Sequence, residues 1–313
     1  MKYAAKKGLM LLLTMLIVSF LVFVAFQILP GDPTTKLLGT QATPERIAAL
    51  RAELGLDDPW LLRYWNWLKA FVTGDMGNSY SYSMPVSQLV AEKLPVTLRL
   101  SGLAFAFIVA FSMPLGILFA SRRARKVDGV ITTANQVIMS IPPFFMGIII
   151  SYLFGTLLKW FIPGNYVSFG EDPAGHMVYL LFPAFAIAIP RIAMTVRLLR
   201  STIAAQMKEN YVRTAYSRGG SPGGILWGHV LKNSLLPVVT FLAMTFADIV
   251  ANSIVVEQVF GIPGLGRLLL AGISNQDQPT AQAIIVIISF VVMVMNYAAD
   301  LINQRIDPRL RLQ

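Results

Sequence analysis

The chain contains no cysteine, so disulfides, thiol nucleophiles and thiolate metal ligands are all excluded. Histidine is nearly as scarce, with only His176 and His229. Charged residues fill 13% of the 313 positions, where an ordinary soluble domain carries about a quarter. No Gly-x-x-x-x-Gly-Lys-Ser/Thr stretch occurs, so the usual loop for nucleotide phosphates is missing. Gly219-Gly220-Ser221-Pro222-Gly223-Gly224 is glycine-rich but lacks the lysine, and reads as a connection. There is no short-period repeat and no low-complexity tract.

What is abundant is apolar. Hydrophobic residues make up 55% of the chain, and the mean hydropathy is +0.62. Several apolar runs are longer than the roughly 20 residues that cross a hydrocarbon core of about 30 Å. These features describe an all-α polytopic membrane protein. The net charge of +10 could suggest nucleic acid, but its distribution argues against that partner. If the two ends and alternate loops face the cytoplasm, those short segments hold 16 of the 26 basic residues, among them Arg122, Arg123, Arg125, Lys126, Arg213 and Arg218. That is the bias of a chain oriented by positive charge in a bilayer.

In order, a basic start (Lys2, Lys6, Lys7) leads into an apolar run over residues 8–29, long enough to span and closed by Pro30-Gly31-Asp32-Pro33. Residues 31–95 then carry six basic and seven acidic residues, an amphipathic stretch over 44–56 and a tryptophan cluster at Trp60, Trp65 and Trp67. They read as a small extracytoplasmic subdomain, with the tryptophans either anchoring at the headgroups or docking a partner. Further spans are expected over about 96–120, 129–159, 177–199, 234–256 and 281–302. The third is broken by Ile141-Pro142-Pro143, a position tolerated at membrane depth where neighbours or a cavity satisfy the freed carbonyls. Arg99, near the outer end of the second span, is expected to snorkel. The division is therefore residues 1–30 for the N-terminus and first helix, 31–95 outside, 96–303 for a five-helix core containing a cytoplasmic loop at 201–233, and 304–313 for a cytoplasmic tail.

Within that loop, Asn210-Tyr211-Val212-Arg213-Thr214-Ala215-Tyr216-Ser217-Arg218-Gly219 reads as a short amphipathic helix. Glu209 and Arg213 stand in the favourable acid-before-base order, and Ala215 and Gly219 offer a small-residue face. Gly219-Gly220 stops the helix, and Ser221-Pro222 has the cap and first position of the next. This stretch resembles the cytoplasmic coupling loop of bacterial ABC importer permeases. The pattern Tyr-Val-Arg-Thr-Ala-x-x-x-Gly with Leu235-Leu236-Pro237 is similar to the dipeptide/oligopeptide/nickel branch. Asn210 departs from the acidic residue usual there, and Tyr216 from the basic one. Leu54-Gly55-Leu56-Asp57-Asp58-Pro59, Gly74-Asp75-Met76-Gly77-Asn78-Ser79, Leu94-Pro95-Val96-Thr97-Leu98 and Arg305-Ile306-Asp307-Pro308-Arg309 resemble the same branch. So does Glu257-Gln258-Val259-Phe260-Gly261-Ile262-Pro263-Gly264-Leu265-Gly266, which physically is a helix end followed by a re-entrant turn on the outer face.

The resemblance implies a type I ABC importer permease fold of six transmembrane helices in a bacterial inner membrane. It implies a homologous permease partner, two ABC ATPase subunits that bind ATP and Mg, and an extracytoplasmic solute-binding protein. The chain itself would be no enzyme and would hold no cofactor. Tyr211, Val212, Arg213, Thr214, Ala215 and Gly219 would dock on the ATPase, while Glu257, Phe260, Pro263, Gly264 and Gly266 would form an outer gate or loop. Di- and oligopeptides are the leading cargo, with nickel or a metal chelate as the alternative. An ion-gradient-driven secondary transporter is the rival class. It would show comparable repeats with broken helices in both halves.

Charges inside spans point to a pathway or a partner, because they are costly in lipid. Arg191, Asp248 and Asn252 are the candidates, with Glu257 and Asp300 at the rim. Arg191 and Asp248 either line a polar route for a zwitterion or pair with each other beside the prolines. No metal site is expected, since the spans put His176 and His229 on opposite sides of the membrane.

Overall fold

The computed structural model describes residues 2–28, 34, 38–39, 42–53, 55–120 and 128–306. The expected basic loop at 121–127, the turn at 29–33 and the closing motif beyond residue 306 lie outside the described residues. Among those described, the secondary structure is helical apart from one isolated bridge between Asn78 and Pro85. Residues 1–97 with 263–291 form one compact unit, and 98–262 with 292–313 form a second.

The first unit contains α1 (Lys2–Ile28), α2 (Pro44–Glu53) and α3 (Trp60–Val72). Most large apolar side chains of α1, such as Leu9, Leu12, Ile17 and Leu21, are exposed in the chain by itself, as a lipid-facing span requires. Helix α3 lays aromatic rings on the second half of α1. Tyr64 meets Phe20 edge-on at 5.3 Å and Phe23 at 5.5 Å, and Trp60 and Trp67 contact the same two phenylalanines at 5.9 Å. Tyr64 Oη also lies 2.9 Å from Ser19 Oγ, which gives the phenol a polar partner inside an apolar span.

Helix α4 (Val86–Ala120) starts ten residues before the expected boundary, with Pro95 inside it. Proline disrupts a helix by losing one hydrogen bond, and tertiary packing overrides that preference here. The unit also holds α11 (Leu265–Ser274) and the first half of α12 (Gln278–Ile306). The expected re-entrant turn after Phe260 is thus a left-handed stop followed by a ten-residue apolar helix.

In the second unit, α5 (Asp128–Ser140) and α6 (Pro143–Ile150) occupy the expected third span, and the break falls where expected: the apolar helices on either side of Ile141-Pro142 are bent by 101°. Pro142 is extended (φ −61°, ψ 145°). A residue preceding proline is pushed out of the α region, and Pro143 then starts the next helix without needing a donor. A π-helical turn, Ser151–Leu157, continues α6. Helix α7 (Pro173–Gln206) begins at an Asp172 cap, whose carboxylate accepts from the backbone of Ala174 and Gly175 at 3.0 Å. It packs on α5, α6 and α10 (Leu231–Phe260) through buried Leu180, Ala184, Ile187, Ala188 and Ala193. Phe107 stacks on Phe185, and Phe161 on Phe182, each with centroids 4.2 Å apart.

Between α7 and α10 lie α8 (Asn210–Ser217), α9 (Pro222–Ile225) and a π-helical turn, Leu226–Val230. Among the described residues, five helices are long and apolar enough to cross a membrane, six if the bent pair counts as one.

Small residues set the closest helix approach. A Cβ on Gly116 would sit 2.7 Å from Leu199 Cδ2 and 3.1 Å from its Cβ. Gly116→Ala should therefore lower stability by about 1–2 kcal/mol despite its better helix propensity. Thermal unfolding of the purified variant against the parent checks this, and a raised midpoint would refute it.

Arg99 is half-buried, and its guanidinium lies 4.1 Å from the centroid of the Phe169 ring, a cation–π contact with the loop that precedes α7. The same charge opposes the rise in the Tyr166 pKa that burial causes.

Candidate functional site

Helix α8 is built to stand alone at a surface. Val212 is 1% exposed and pins it to the protein, while Arg213, Thr214, Ser217 and Arg218 are exposed. Its C-terminus closes with Gly219 at φ +81°, a conformation that costs glycine little. Gly220 N–H donates to Ala215 O at 3.1 Å, and Gly219 N–H to Tyr216 O at 2.9 Å, the paired bonds of a Schellman stop. Tyr211 Oη donates to Gln206 Oε1 at 2.7 Å and ties the helix to the end of α7. The next helix starts as expected, with Ser221 Oγ accepting from Gly224 N at 3.2 Å and Pro222 in the first position.

One expected contact is absent. Glu209 occupies the N-cap with extended backbone (φ −70°, ψ 151°) and forms no side-chain cap bond. Sitting before the helix, it does not share a face with Arg213, and no ion pair joins them among the described residues. Beside α8 lies a groove of about 480 Å³, lined in part by Tyr211, Thr214, Ala215 and Arg218. His229 also lines it, a placement that its position in the sequence did not reveal.

The structure brings the three intramembrane candidates together. Arg191, near the middle of α7, donates through Nη1 to Asp248 Oδ2 at 3.3 Å. Asn252 Nδ2 donates to the Asp248 carbonyl at 2.7 Å, turning the amide along α10. Of the two open readings, pairing is present, and it is lopsided: the Arg191 side chain is 18% exposed and that of Asp248 57%. An ion pair with one open side can still border a polar route.

The Glu257-to-Gly266 motif divides at residue 262. In the second unit, Glu257 is fully buried, with Ser253 Oγ 3.5 Å from its Oε1. Phe260 is also fully buried, its ring near Phe161 and its carbonyl accepting from Tyr179 Oη. Gly261 ends α10 at φ +68°, and Ile262 N–H returns to Glu257 O at 2.9 Å. In the first unit, Pro263 is half-buried, and Gly264 is the extended N-cap residue of α11. Leu265 N–H donates to Thr97 Oγ1 at 2.9 Å, and Gly266 is buried.

Sequence reasoning missed the strongest polar anchor in the first unit. The buried Asp277 carboxylate accepts from Ser79 Oγ, from Tyr80 N at 3.1 Å, from Ser81 N at 3.3 Å and from Thr280 Oγ1 at 2.9 Å. Burial pushes the Tyr80 phenol pKa up, the Asp277 charge adds to that rise, and Arg63 opposes it. The available signal was Asp277-Gln278-Pro279-Thr280, which has the spacing of a helix N-cap.

Comparison with known proteins accounts for both ends of the chain. A family model described as "Binding-protein-dependent transport system inner membrane component" matches residues 112–312, and its N-terminal counterpart matches residues 1–101. A Brucella abortus protein named as a permease of a peptide transport system is 36% identical over 297 residues, covering 95% of each chain. The glutathione transport system permease protein GsiC of Salmonella typhi is 34% identical over 311 residues, covering 99% of each. The MetNI methionine ABC transporter, solved in inward-facing conformations, shares the fold with a TM-score of 0.55 at 16% identity, over 70% of this chain and 97% of that one. Two family matches and full-length relatives above 30% identity leave one conclusion: the chain belongs to the inner-membrane components of binding-protein-dependent transport systems, the permease subunits of ABC importers.

Proposed function

We propose that this chain forms half of the translocation pathway of an importer for di- and oligopeptides. A second, homologous permease supplies the other half, two ABC ATPases bind ATP and Mg, and an extracytoplasmic solute-binding protein delivers the cargo. The peptide reading is supported by relatives named for peptide and glutathione transport systems. Both termini and the loop at 201–233 face the cytoplasm, which the basic residues concentrated there support. Residues 31–95 face outward, and Glu257 to Gly266 lie at the outer end of the route.

The observation that carries this reading is α8: an eight-residue helix that follows α7 in the chain, is stopped by Gly219, has Val212 buried, and is bordered by an open groove. Such a helix moves as a unit. ATP-driven closure of the ATPases would displace it and, through Tyr211 and the end of α7, shift the spans between inward-open and outward-open states. Arg191 and Asp248 border the route at mid-membrane.

Ala215→Arg places a long cation on the half-buried face beside the groove, and Gly219→Asp puts a carboxylate at the stop. Each should reduce ATPase recovery with the tagged chain at least tenfold, about 1.4 kcal/mol of lost association, with membrane insertion unchanged. Recovery at the parental level would overturn the coupling role. Uptake that persists with no ATPase present would overturn the importer reading itself.

A further inference from the structure

Within the first unit lies an open-mouthed cavity of about 340 Å³, away from α8 and from the Arg191–Asp248 pair in sequence. Its lining combines opposite charges with an aromatic wall: Asp58, Arg63, Trp67, Tyr80 and Gln282. Asp58 and Arg63 form no ion pair with each other or with another described residue. The Arg63 guanidinium instead reaches the Leu56 carbonyl through Nη1 at 3.4 Å, a weak use of a strong donor. Gln282 is 3% exposed, and its Nε2 has no hydrogen-bond partner. That nitrogen is closed off from the cavity, so Gln282 contributes packing to the wall and no donor to a ligand. Tyr80 is held in place through its backbone by Asp277, and Trp67 by contact with Phe23, so both aromatic walls are supported from behind.

Two carboxylates, Asp58 and Asp75, a separate guanidinium and an indole face together describe one ligand class. We infer that this cavity binds a small zwitterion, a free amino acid or a dipeptide, with its carboxylate toward Arg63 and its ammonium toward Asp58. The volume lies at the lower end of the roughly 300–1,000 Å³ of small-molecule pockets, which excludes an enclosed longer peptide. Trp67 and Phe23 supply the apolar surface for a side chain. The inference deepens the peptide reading, and rests on it only for the side from which the ligand arrives. The site would sense or retain cargo outside the membrane route.

The test uses the complete transporter in lipid nanodiscs and isothermal titration calorimetry. The probes are L-alanyl-L-phenylalanine and free L-phenylalanine, each also as its N-acetylated and C-amidated form. At least one free-ended probe should bind saturably, and which one does identifies the source. Blocking either end should weaken it about tenfold or more, the scale of one lost charge-assisted hydrogen bond. Arg63→Gln should weaken binding about tenfold or more, with ATPase recovery and thermal unfolding unchanged. Absence of saturable binding by either probe would overturn the inference, as would equal binding of the blocked forms. Undiminished binding by the Arg63→Gln variant would also overturn it. The blocked probes need no variant, so misfolding of a variant cannot decide the result. Uptake and ATPase recovery that survive a negative result would leave the importer reading intact.

Discussion

Asp277→Leu will release the loop over residues 74–83 from the start of α12. The carboxylate is the common acceptor for two backbone N–H groups and two hydroxyls, and Ser79, one of the donors, is itself buried. Hydrogen bonds to a charged group contribute about 1.5–3 kcal/mol each and are not additive, so the total loss should be about 3–5 kcal/mol. Asp277→Asn retains one acceptor oxygen and should cost about 1–2 kcal/mol. Hydrogen exchange reads this locally. The amides of Ser79, Ser83 and Val86, bonded to Met84 O, Ser79 O and Gly77 O, should exchange roughly 100-fold faster in the leucine variant. Unchanged protection would show that the loop is held by something else. Tyr80 gives an independent reading. Removing the Asp277 charge removes a cause that raises its pKa, so the phenol should titrate at lower pH in Asp277→Asn.

Asp248→Leu will be more damaging than Arg191→Leu/Asp248→Leu. The single change leaves a mostly buried guanidinium without its carboxylate at the middle of two long helices. An unpaired charge at that depth costs about 2.5–3.5 kcal/mol on insertion-based scales. The double change removes both charges, and apolar replacements of an ion pair are often neutral or stabilising. Thermal unfolding in nanodiscs should therefore show a large loss for the single variant and near-parental stability for the double. Transport separates structure from pathway. If the pair borders the route, the stable double variant will still lose uptake at least tenfold. Parental uptake by that variant would leave the pair a structural bridge alone.

Features set by neighbours in the chain were legible before any coordinates. The Gly219-Gly220 stop, the Ser221-Pro222 start and the apolar spans follow from local sterics, capping and hydropathy. Contacts between distant segments were not legible. Ser79 and Asp277 are separated by 198 positions, and neither stands out locally as a partner for the other. The cavity with Arg63 and Gln282 was hidden for the same reason. Two differences have single physical causes. Packing carries α4 through Pro95, so the helix starts ten residues before the expected span. The spacing of Glu209 and Arg213 assumed that both were helical, whereas Glu209 is the extended cap.

The Ser79–Asp277 bond also bears on how the bent pair α5–α6 is counted. Two groups in hydrogen-bond contact occupy the same side of a bilayer, so the chain between them must cross it an even number of times. Between residues 79 and 277 lie α4, the bent pair, α7 and α10, and the three unbent helices are each long enough to cross once. Three crossings would strand Asp277 on the wrong side. A pair that folded back to the face it left would give that odd count, so if α4, α7 and α10 each cross once, Gly129–Leu157 crosses as well despite its 101° break. One buried carboxylate, placed far along the chain from the proline break, thereby favours a crossing over a hairpin.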